Sequence, residues 1–521
     1  MGSDRKVLRD ALAALSLGNI SLLQIWVELL DYTPADSFFL QRPPLPIQYM
    51  AAICNVLLLG ACFFALIRLT RMVNQRFGAV WATLMALAIA AIPLNALRAT
   101  LANYFPLLRS NLTVRIGVPG TVALYAGLIL GLAFMVLRLR ARTFGIALTL
   151  LAEISPLCLL TGTFAVIKSL SRRPELFVDG ATASRLAGLK SKGHRVIWII
   201  FDEMDYRLAF VERPANLVLP EFDALRAQAV FATQAFSPSN DTLSSVPSLL
   251  AGRRLMGEPT GPARLLAHFR DAETMPMTPQ MTIFADVRQL GGNAAVAGWY
   301  LPYCRLFPSV LAECSWVGQG SLLTITGDTL ATNLVNQDRS LFETSAYSIF
   351  GQSLMVKNRI GKIQSLRRTG VRYAADPALD LVFLHYPIPH APHTYDRRTQ
   401  AFTKANSLFD AYPDSLALAD AALGELRAAM TKAGLWDSSA ILVSSDHYYR
   451  ASVQFDGKQD RRVPWLLKLP GQTRTVGFDQ ALQTLLSRRL IEAILRGEIV
   501  TTEQALQWLA GRSSESGEAG N

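Results

Sequence analysis

The first third of the chain is marked by five mostly apolar runs, at 11–30, 49–67, 80–97, 120–137 and 144–167. Each approaches the ~20 residues that a helix needs to cross a bilayer. The pattern therefore predicts five spanning helices. The first is the most polar, with Asn19, Gln24 and Glu28 inside it. No small-residue cleavage site follows that run, so it reads as a retained anchor and not as a signal peptide. After a mixed stretch over 171–193, the pattern changes at His194. Short apolar runs at Val196–Phe201, Ala294–Ala297, Leu379–Leu384 and Ala440–Ser444 read as strands. Amphipathic stretches at Pro220–Ala229, Pro279–Leu290, Leu416–Ala433 and Phe478–Leu495 read as helices. Strands separated by helices predict an α/β domain with a mainly parallel central sheet, which places a ligand site at the carboxyl ends of the strands. The domains expected are a membrane region over 1–170, a linker over 171–193, an outer domain over 194–511 and a polar, disordered tail over 512–521.

Charge supports this division. Residues 1–173 carry 16 Lys and Arg against 6 Asp and Glu, whereas the remainder carries 35 against 34. The basic excess thus belongs to the membrane part and argues against a nucleic-acid partner. Arg5, Lys6 and Arg9, then Arg68, Arg71 and Arg76, then Arg138, Arg140 and Arg142 mark three segments expected on the cytoplasmic side. Five spans from a cytoplasmic N-terminus would leave everything after Lys168 outside the cytoplasm. That predicts a multi-pass protein of a bacterial inner membrane with a periplasmic domain. Glu153 lies within the fifth run, where a carboxyl is either functional or paired, for example with Asn19 or Gln24. Cys304 and Cys314 fall in the outer part, where a disulfide between them would be permitted.

Four stretches of the outer part carry candidate chemistry. The first strand runs into Asp202 and Glu203, an acid pair suited to a hard cation, or to capping the following turn. Residues 239–252 place small polar residues before an apolar run ending at Gly252, which reads as a loop leading into a short helix. The N-terminus of such a helix attracts a phosphate or sulfate, and a hydroxyl there could attack it; Thr242 and Ser245 could equally serve only as caps. A third strand runs into His385, followed by His390 and His393. The last strand runs into Asp446 and His447, oxygen and nitrogen ligands suited to zinc or manganese.

The ordered set IIFDE, TLSSVPSLLAG, LHYPIPHAPH and SSDH resembles the alkaline-phosphatase superfamily, in its sulfatase and phosphoalcohol-transferase branch, over roughly 194–475. Apolar spans followed by an outer domain look like the membrane phosphoethanolamine transferases and the lipoteichoic acid synthases. The resemblance implies a divalent cation, zinc first and manganese or another as alternatives, held by Asp202, Glu203, Asp446 and His447 with Thr242. It implies Thr242 as the nucleophile, since both the sulfatase and the transferase registers select it, with Ser245 as the fallback. His390 would bind the phosphoryl group or a second cation, and Asn240, His385 and His393 would contact the substrate. The reaction implied is transfer of phosphoethanolamine or phosphoglycerol from a phospholipid to a glycan or lipid, with a hydrolase of phosphate or sulfate esters as the alternative and an inactive binding module as a second one. Threonine cannot become formylglycine by the usual route, which argues against a formylglycine sulfatase. Two departures stand out: Tyr448 and Tyr449 replace the family's Gly-Glu, and Asp456, Lys458 and Asp460 occupy the region of a further histidine.

Overall fold

The computed structural model describes residues 2–30, 44–104, 144–171, 180–189, 194–256, 265–269, 274–318, 329–350, 353–403 and 411–512, with a few isolated positions between 120 and 131. The predicted tail after 512 and most of the run at 120–137 lie outside the described residues. The chain divides into two compact units. One takes residues 1–33, 42–175 and 320–351; the other takes 34–41, 176–319 and 352–521.

The first unit is helical. Helices α1 (Gly2–Ser21) and α2 (Leu23–Leu30) meet at a bend of 60°. They are followed by α3 (Pro46–Phe77), α4 (Ala79–Tyr104) and α5 (Pro156–Leu170), the last extending a helical stretch that begins at Phe144. Glycine decides how closely α1 and α3 approach. A Cβ on Gly18 would lie 2.7 Å from the Val56 carbonyl oxygen and 3.0 Å from the Gly60 amide nitrogen. Small residues at such crossings let apolar helices touch backbone to backbone. The carboxylate of Asp10 is fully buried, accepting from Arg9 at 3.1 Å and from Arg71 at 2.6 Å. Two of the basic groups assigned to one side of a membrane thus share one anion.

Two helices, Pro46–Asn74 and Phe144–Leu170, are long and apolar enough to cross a membrane, and the bent pair Asp4–Ser21 with Leu23–Leu30 makes a third if it counts as one span. Among the described residues, two or three of the five expected spans are thus present. The run at 80–97 lies in α4, but its apolar part, Leu84–Arg98, is shorter than a span. Glu153 is exposed on its helix, and Asn19 instead accepts from Trp26 at 2.8 Å and from Thr161 at 3.1 Å.

The second unit is a three-layer α/β domain. Its sheet has eight strands: β1 (Val196–Asp202), β2 (Val230–Ala232), β3 (Ala294–Trp299), β4 (Glu313–Val317), β5 (Leu381–Pro389), β6 (Ala440–Ser445), β7 (Trp465–Lys468) and β8 (Val476–Phe478), in the spatial order β8-β2-β7-β6-β1-β5-β3-β4. All pairings are parallel except those of β7 with β6 and with β2. Every residue of β1 is buried, as expected of a central strand covered on both faces. Val196, Trp198 and Ile200 face one apolar layer, where α7 (Thr242–Ala251) and α13 (Leu486–Leu495) supply Leu249 and Ile491; α6 (Pro220–Arg226) and α8 (Ile283–Gln289) take opposite faces. Ile197, Ile199 and Phe201 face the other layer, with Leu366 and Leu423 from α11 (Ser353–Ala374) and α12 (Tyr412–Lys432).

Four predicted strands are present, and β5 runs five residues beyond Leu384, so His385 lies within it and not after it. The stretch Phe478–Leu495 becomes helical only at Leu486, because Val476–Phe478 pairs with β2 and Leu482–Gln483 forms a second short pairing. Thr282 is extended and splits Pro279–Leu290 into a 3-10 turn and α8. A disulfide joins Cys304, on α9 (Tyr303–Leu306), to Cys314 on β4.

Candidate active site

Because β6, β1 and β5 are adjacent and parallel, their carboxyl ends deliver chemistry to one edge of the sheet. Ile200 pairs with Ser444 on one side and with His385 on the other, so Asp202, Asp446 and His447 emerge together. His447 Nε2 lies 3.7 Å from Asp202 Oδ1 and 3.5 Å from Asp446 Oδ2, and all three side chains are buried. Two buried carboxylates this close repel. Burial, then the Asp446 charge, raises the Asp202 carboxyl well above its ordinary range. Burial opposes ionisation of Asp446 too, but His447 and His385 hold it below the usual value. Trp299 Nε1 donates to Asp202 Oδ2 at 2.5 Å, and the Glu203 amide donates to Asp446 Oδ1 at 3.1 Å. Asp446 Oδ2 is buried without a hydrogen-bond donor among the described residues. Clustered acids, one imidazole and an orphaned carboxylate oxygen fit a divalent cation. Asp202, Asp446 and His447 can converge on one.

Thr242 completes this arrangement. Its Oγ1 is 3.4 Å from His447 Nε2 and 3.5 Å from Asp202 Oδ1. It is the first residue of α7, where backbone N–H groups lack helical acceptors. The helix cap is neither Thr242 nor Ser245 but Asp241, whose carboxylate accepts from the Ser244 amide at 2.7 Å. The capping task thus falls to the residue before, and the Thr242 hydroxyl faces the acid cluster. Ser245 is buried and exchanges hydrogen bonds at 3.1 Å with the Ser239 backbone. Asp241→Ala is expected to cost about 1 kcal/mol of stability, the usual value of such a cap, and to lower turnover as well. Chemical denaturation alongside an activity assay checks both.

The remaining sequence candidates are arranged around this centre. Glu203 is not in the cluster: its left-handed backbone (φ 67) turns its carboxylate to Arg450 Nε at 3.0 Å and to His390 Nε2 at 3.8 Å. Such a conformation is strained for a residue with a Cβ. His390 is partly exposed, its amide donating to the Asp202 carbonyl at 3.1 Å. Asn240 is exposed in the loop before α7. His393 Nδ1 is bonded to Ser415 Oγ at 2.9 Å, away from the cluster. His385 Nδ1 meets the Tyr303 hydroxyl at 2.9 Å, and its Nε2 is buried with no hydrogen-bond partner among the described residues.

Burial lowers the His385 imidazole from 6.5 to about 4. Between those values the unfolded chain binds the extra proton, so stability is complete above pH 6.5 and is lost as pH falls toward 4, by about 3 kcal/mol at most. Urea midpoints of wild type and His385→Gln, measured from pH 7 to 4, should converge toward the acid end.

Three groups were not visible in the sequence. Arg359, buried on α11, donates to the Pro387 carbonyl and, at 2.7 Å, to the His390 carbonyl, and lies 4.8 Å over the Trp299 ring. Arg450 and Asp241 are the others. Tyr449, one of the two departures from the family pattern, stacks on Tyr412 at 3.8 Å, and Tyr412 donates to the Glu203 carbonyl at 2.8 Å. That substitution builds the wall behind the acid pair.

Residues 377–493 match the family model described as Sulfatase, a segment that holds His385, His390, His393, Asp446 and His447. Solved structures similar to the chain include the phosphonate monoester hydrolase of Agrobacterium radiobacter, 14% identical with a TM-score of 0.37 over 58% of this chain and 77% of that one. Another is the phosphonate monoester hydrolase of Silicibacter pomeroyi, 13% identical with a TM-score of 0.40 over 58% and 73%. A sulfatase from Pseudoalteromonas is 14% identical with a TM-score of 0.38 over 59% and 68%. No curated protein matches the sequence. The matched segment, with the acid, threonine and histidine set around it, supports an enzyme similar to those of the alkaline-phosphatase superfamily. Within the second unit, residues 377–493 are the part similar to the Sulfatase family.

Proposed function

We propose that this chain transfers a phosphoalcohol group, phosphoethanolamine or phosphoglycerol, from a phospholipid to a glycan or lipid outside the cytoplasm of a bacterial cell, through a phosphorylated Thr242. The observation that carries this reading is the Thr242 hydroxyl, unused as a cap, at a helix start within 3.5 Å of Asp202 and His447. A lipid donor is supported by the apolar helices of the same chain.

Asp202, Asp446 and His447 would hold a divalent cation, which when bound lowers the pKa of a nearby hydroxyl and offsets charge on phosphoryl oxygens. The rest falls to the protein. Thr242 Oγ attacks phosphorus, the bond from phosphorus to the diacylglycerol oxygen breaks, and that oxygen leaves with a proton. The free N–H groups at the start of α7 face the phosphoryl oxygens. His390, on the open side, is placed to pass a proton to the leaving oxygen and to take one from the acceptor. The acceptor hydroxyl then displaces Thr242 and carries the group away. Hydrolysis, with water as acceptor, is the second reading, favoured by the match to the Sulfatase family model.

Intact-mass analysis separates the two. Detergent-purified protein is incubated with phosphatidylethanolamine or phosphatidylglycerol and Zn²⁺ or Mn²⁺. A gain of one phosphoalcohol group, with diacylglycerol released, supports transfer and names the donor. Turnover of simple phosphate or sulfate esters with no lipid-derived adduct favours the hydrolase.

A further inference from the structure

We propose that the first half of helix α10 (Leu330–Phe350), which the chain forms between β4 and α11, lies inside the outer leaflet of the membrane with its open face against lipid acyl chains. This rests on the reading of α3 as a membrane span whose Pro46 end faces outward.

The first observation is which way α10 turns its side chains. Asn333, Gln337, Ser340 and Leu341 are buried, at the i, i+4, i+7 and i+8 spacing of one helix face. All but Leu341 are polar. On the other side Val335 is 64% exposed, and Ala331 and Thr332 are open one turn before it. A helix on a wet surface has the opposite arrangement, with apolar side chains inward and polar ones outward. Polar groups turned inward onto partners suit a helix in hydrocarbon, because lipid tails offer no hydrogen bonds. Here the partners are present: Gln337 Nε2 donates to the Gln48 carbonyl at 2.9 Å, Asn333 Nδ2 to the Thr329 carbonyl at 2.9 Å and Ser340 Oγ to the Gln337 carbonyl at 2.6 Å. Leu341 joins a buried apolar cluster with Trp26, Tyr49 and Ala52.

The second observation is depth. Asn55 is fully buried on α3, and its Nδ2 donates to the Leu334 carbonyl and to Gln337 Oε1, both at 3.2 Å. It lies nine residues after Pro46, about 14 Å along the helix axis. The apolar stretch Pro46–Asn74 has 29 residues and is roughly 43 Å long, against a hydrocarbon core of ~30 Å. Centred in the bilayer, it carries Asn55 about 7 Å below the edge of that core. An amide at such a depth needs a partner, and α10 supplies both acceptors for its Nδ2. At the same level α3 presents Leu57 and Leu58 outward, 59% and 53% exposed. Val335 follows Leu334 and so stands at the height of two lipid-facing leucines. Gln337 also reaches Gln48, seven residues nearer the outer end than Asn55. The helix thus climbs outward along α3 and brings Asp338 and Arg339 toward the headgroups, where long charged side chains reach water.

The test uses the full chain in vesicles of phosphatidylethanolamine and phosphatidylglycerol, carrying Cys54→Ala, Cys62→Ala and Cys158→Ala with the Cys304–Cys314 disulfide kept. A nitroxide is attached at Val335→Cys and, in separate variants, at Ala331→Cys, Leu58→Cys and Val218→Cys, the last at a position 70% exposed in the second unit. Power-saturation electron paramagnetic resonance compares relaxation by oxygen, which concentrates among acyl chains, with relaxation by a water-soluble nickel chelate. Oxygen should dominate at Val335, Ala331 and Leu58, and the order should reverse at Val218. Nickel dominance at Val335 and Ala331, with oxygen still dominant at Leu58, would overturn this proposal alone. Nickel dominance at Leu58 as well would overturn it together with the reading of α3 as a span. A Val335 nitroxide closed to both probes would put a protein partner on this face, and that too would overturn it.

Discussion

Replacing Thr242 by alanine is expected to lower kcat by at least ~10³-fold while leaving the fold intact, the pattern of a lost nucleophile. The structure separates the two effects because α7 is capped by Asp241, so the threonine hydroxyl carries no capping load. Thr242→Ser keeps an oxygen at the same place and should recover a measurable part of the rate. Steady-state assays on a simple phosphodiester, run beside thermal melting, check both. An alanine variant within tenfold of wild type would exclude Thr242 as nucleophile. Ser245 is a poor replacement, since its hydroxyl is buried and tied to the Ser239 backbone.

Asp446→Asn should change the sign of its effect on stability with metal. Without a cation, Asp202 and Asp446 are two buried carboxylates flanking one imidazole, and removing one charge relieves their repulsion. The asparagine variant should then melt at or above wild type in a chelator. With saturating Zn²⁺, wild type gains binding free energy that the variant lacks, about 4 kcal/mol at a ligand excess of ~1,000 Kd. Melting curves with chelator and with Zn²⁺ give the four values needed. A variant destabilised equally in both conditions would assign Asp446 a purely structural role.

The sheet and its chemistry were legible because central parallel strands announce themselves. Val196–Phe201 and Ala440–Ser444 are continuous apolar runs ending in acids, and both ends landed at one edge of the sheet. Edge elements carried weaker signals. Val476–Phe478 is three residues long and carries no strand signal, its last residue opening the predicted helix Phe478–Leu495, and its pairing partner β2 lies more than 200 residues earlier in the chain. Glu203 shows the limit at the site. An acid beside Asp202 invites a shared role, but the backbone turns left-handed there and sends the second carboxylate to Arg450. Asp241 was masked by its neighbours, since Thr242 and Ser245 beside it carry hydroxyls equally suited to a cap. Arg359 comes from a helix with no motif to mark it. In the membrane part, two or three of the five apolar runs form helices long enough to span among the described residues.

The helix α10 (Leu330–Phe350) bears on whether the two parts of this molecule can be separated. Although it follows the Cys304–Cys314 disulfide in sequence, it belongs with the first unit: Gln337 Nε2 donates to the Gln48 carbonyl at 2.9 Å, and Asn55 Nδ2 donates to Gln337 and to the Leu334 carbonyl, both at 3.2 Å. Cutting the chain near residue 175 would therefore not release a self-sufficient soluble half. The fragment would keep this helix and lose α3, leaving Leu341 and a row of amides bare at its surface. Proteolysis in the linker should yield two pieces that co-purify, and a soluble catalytic fragment would have to be made by excising the helix as well.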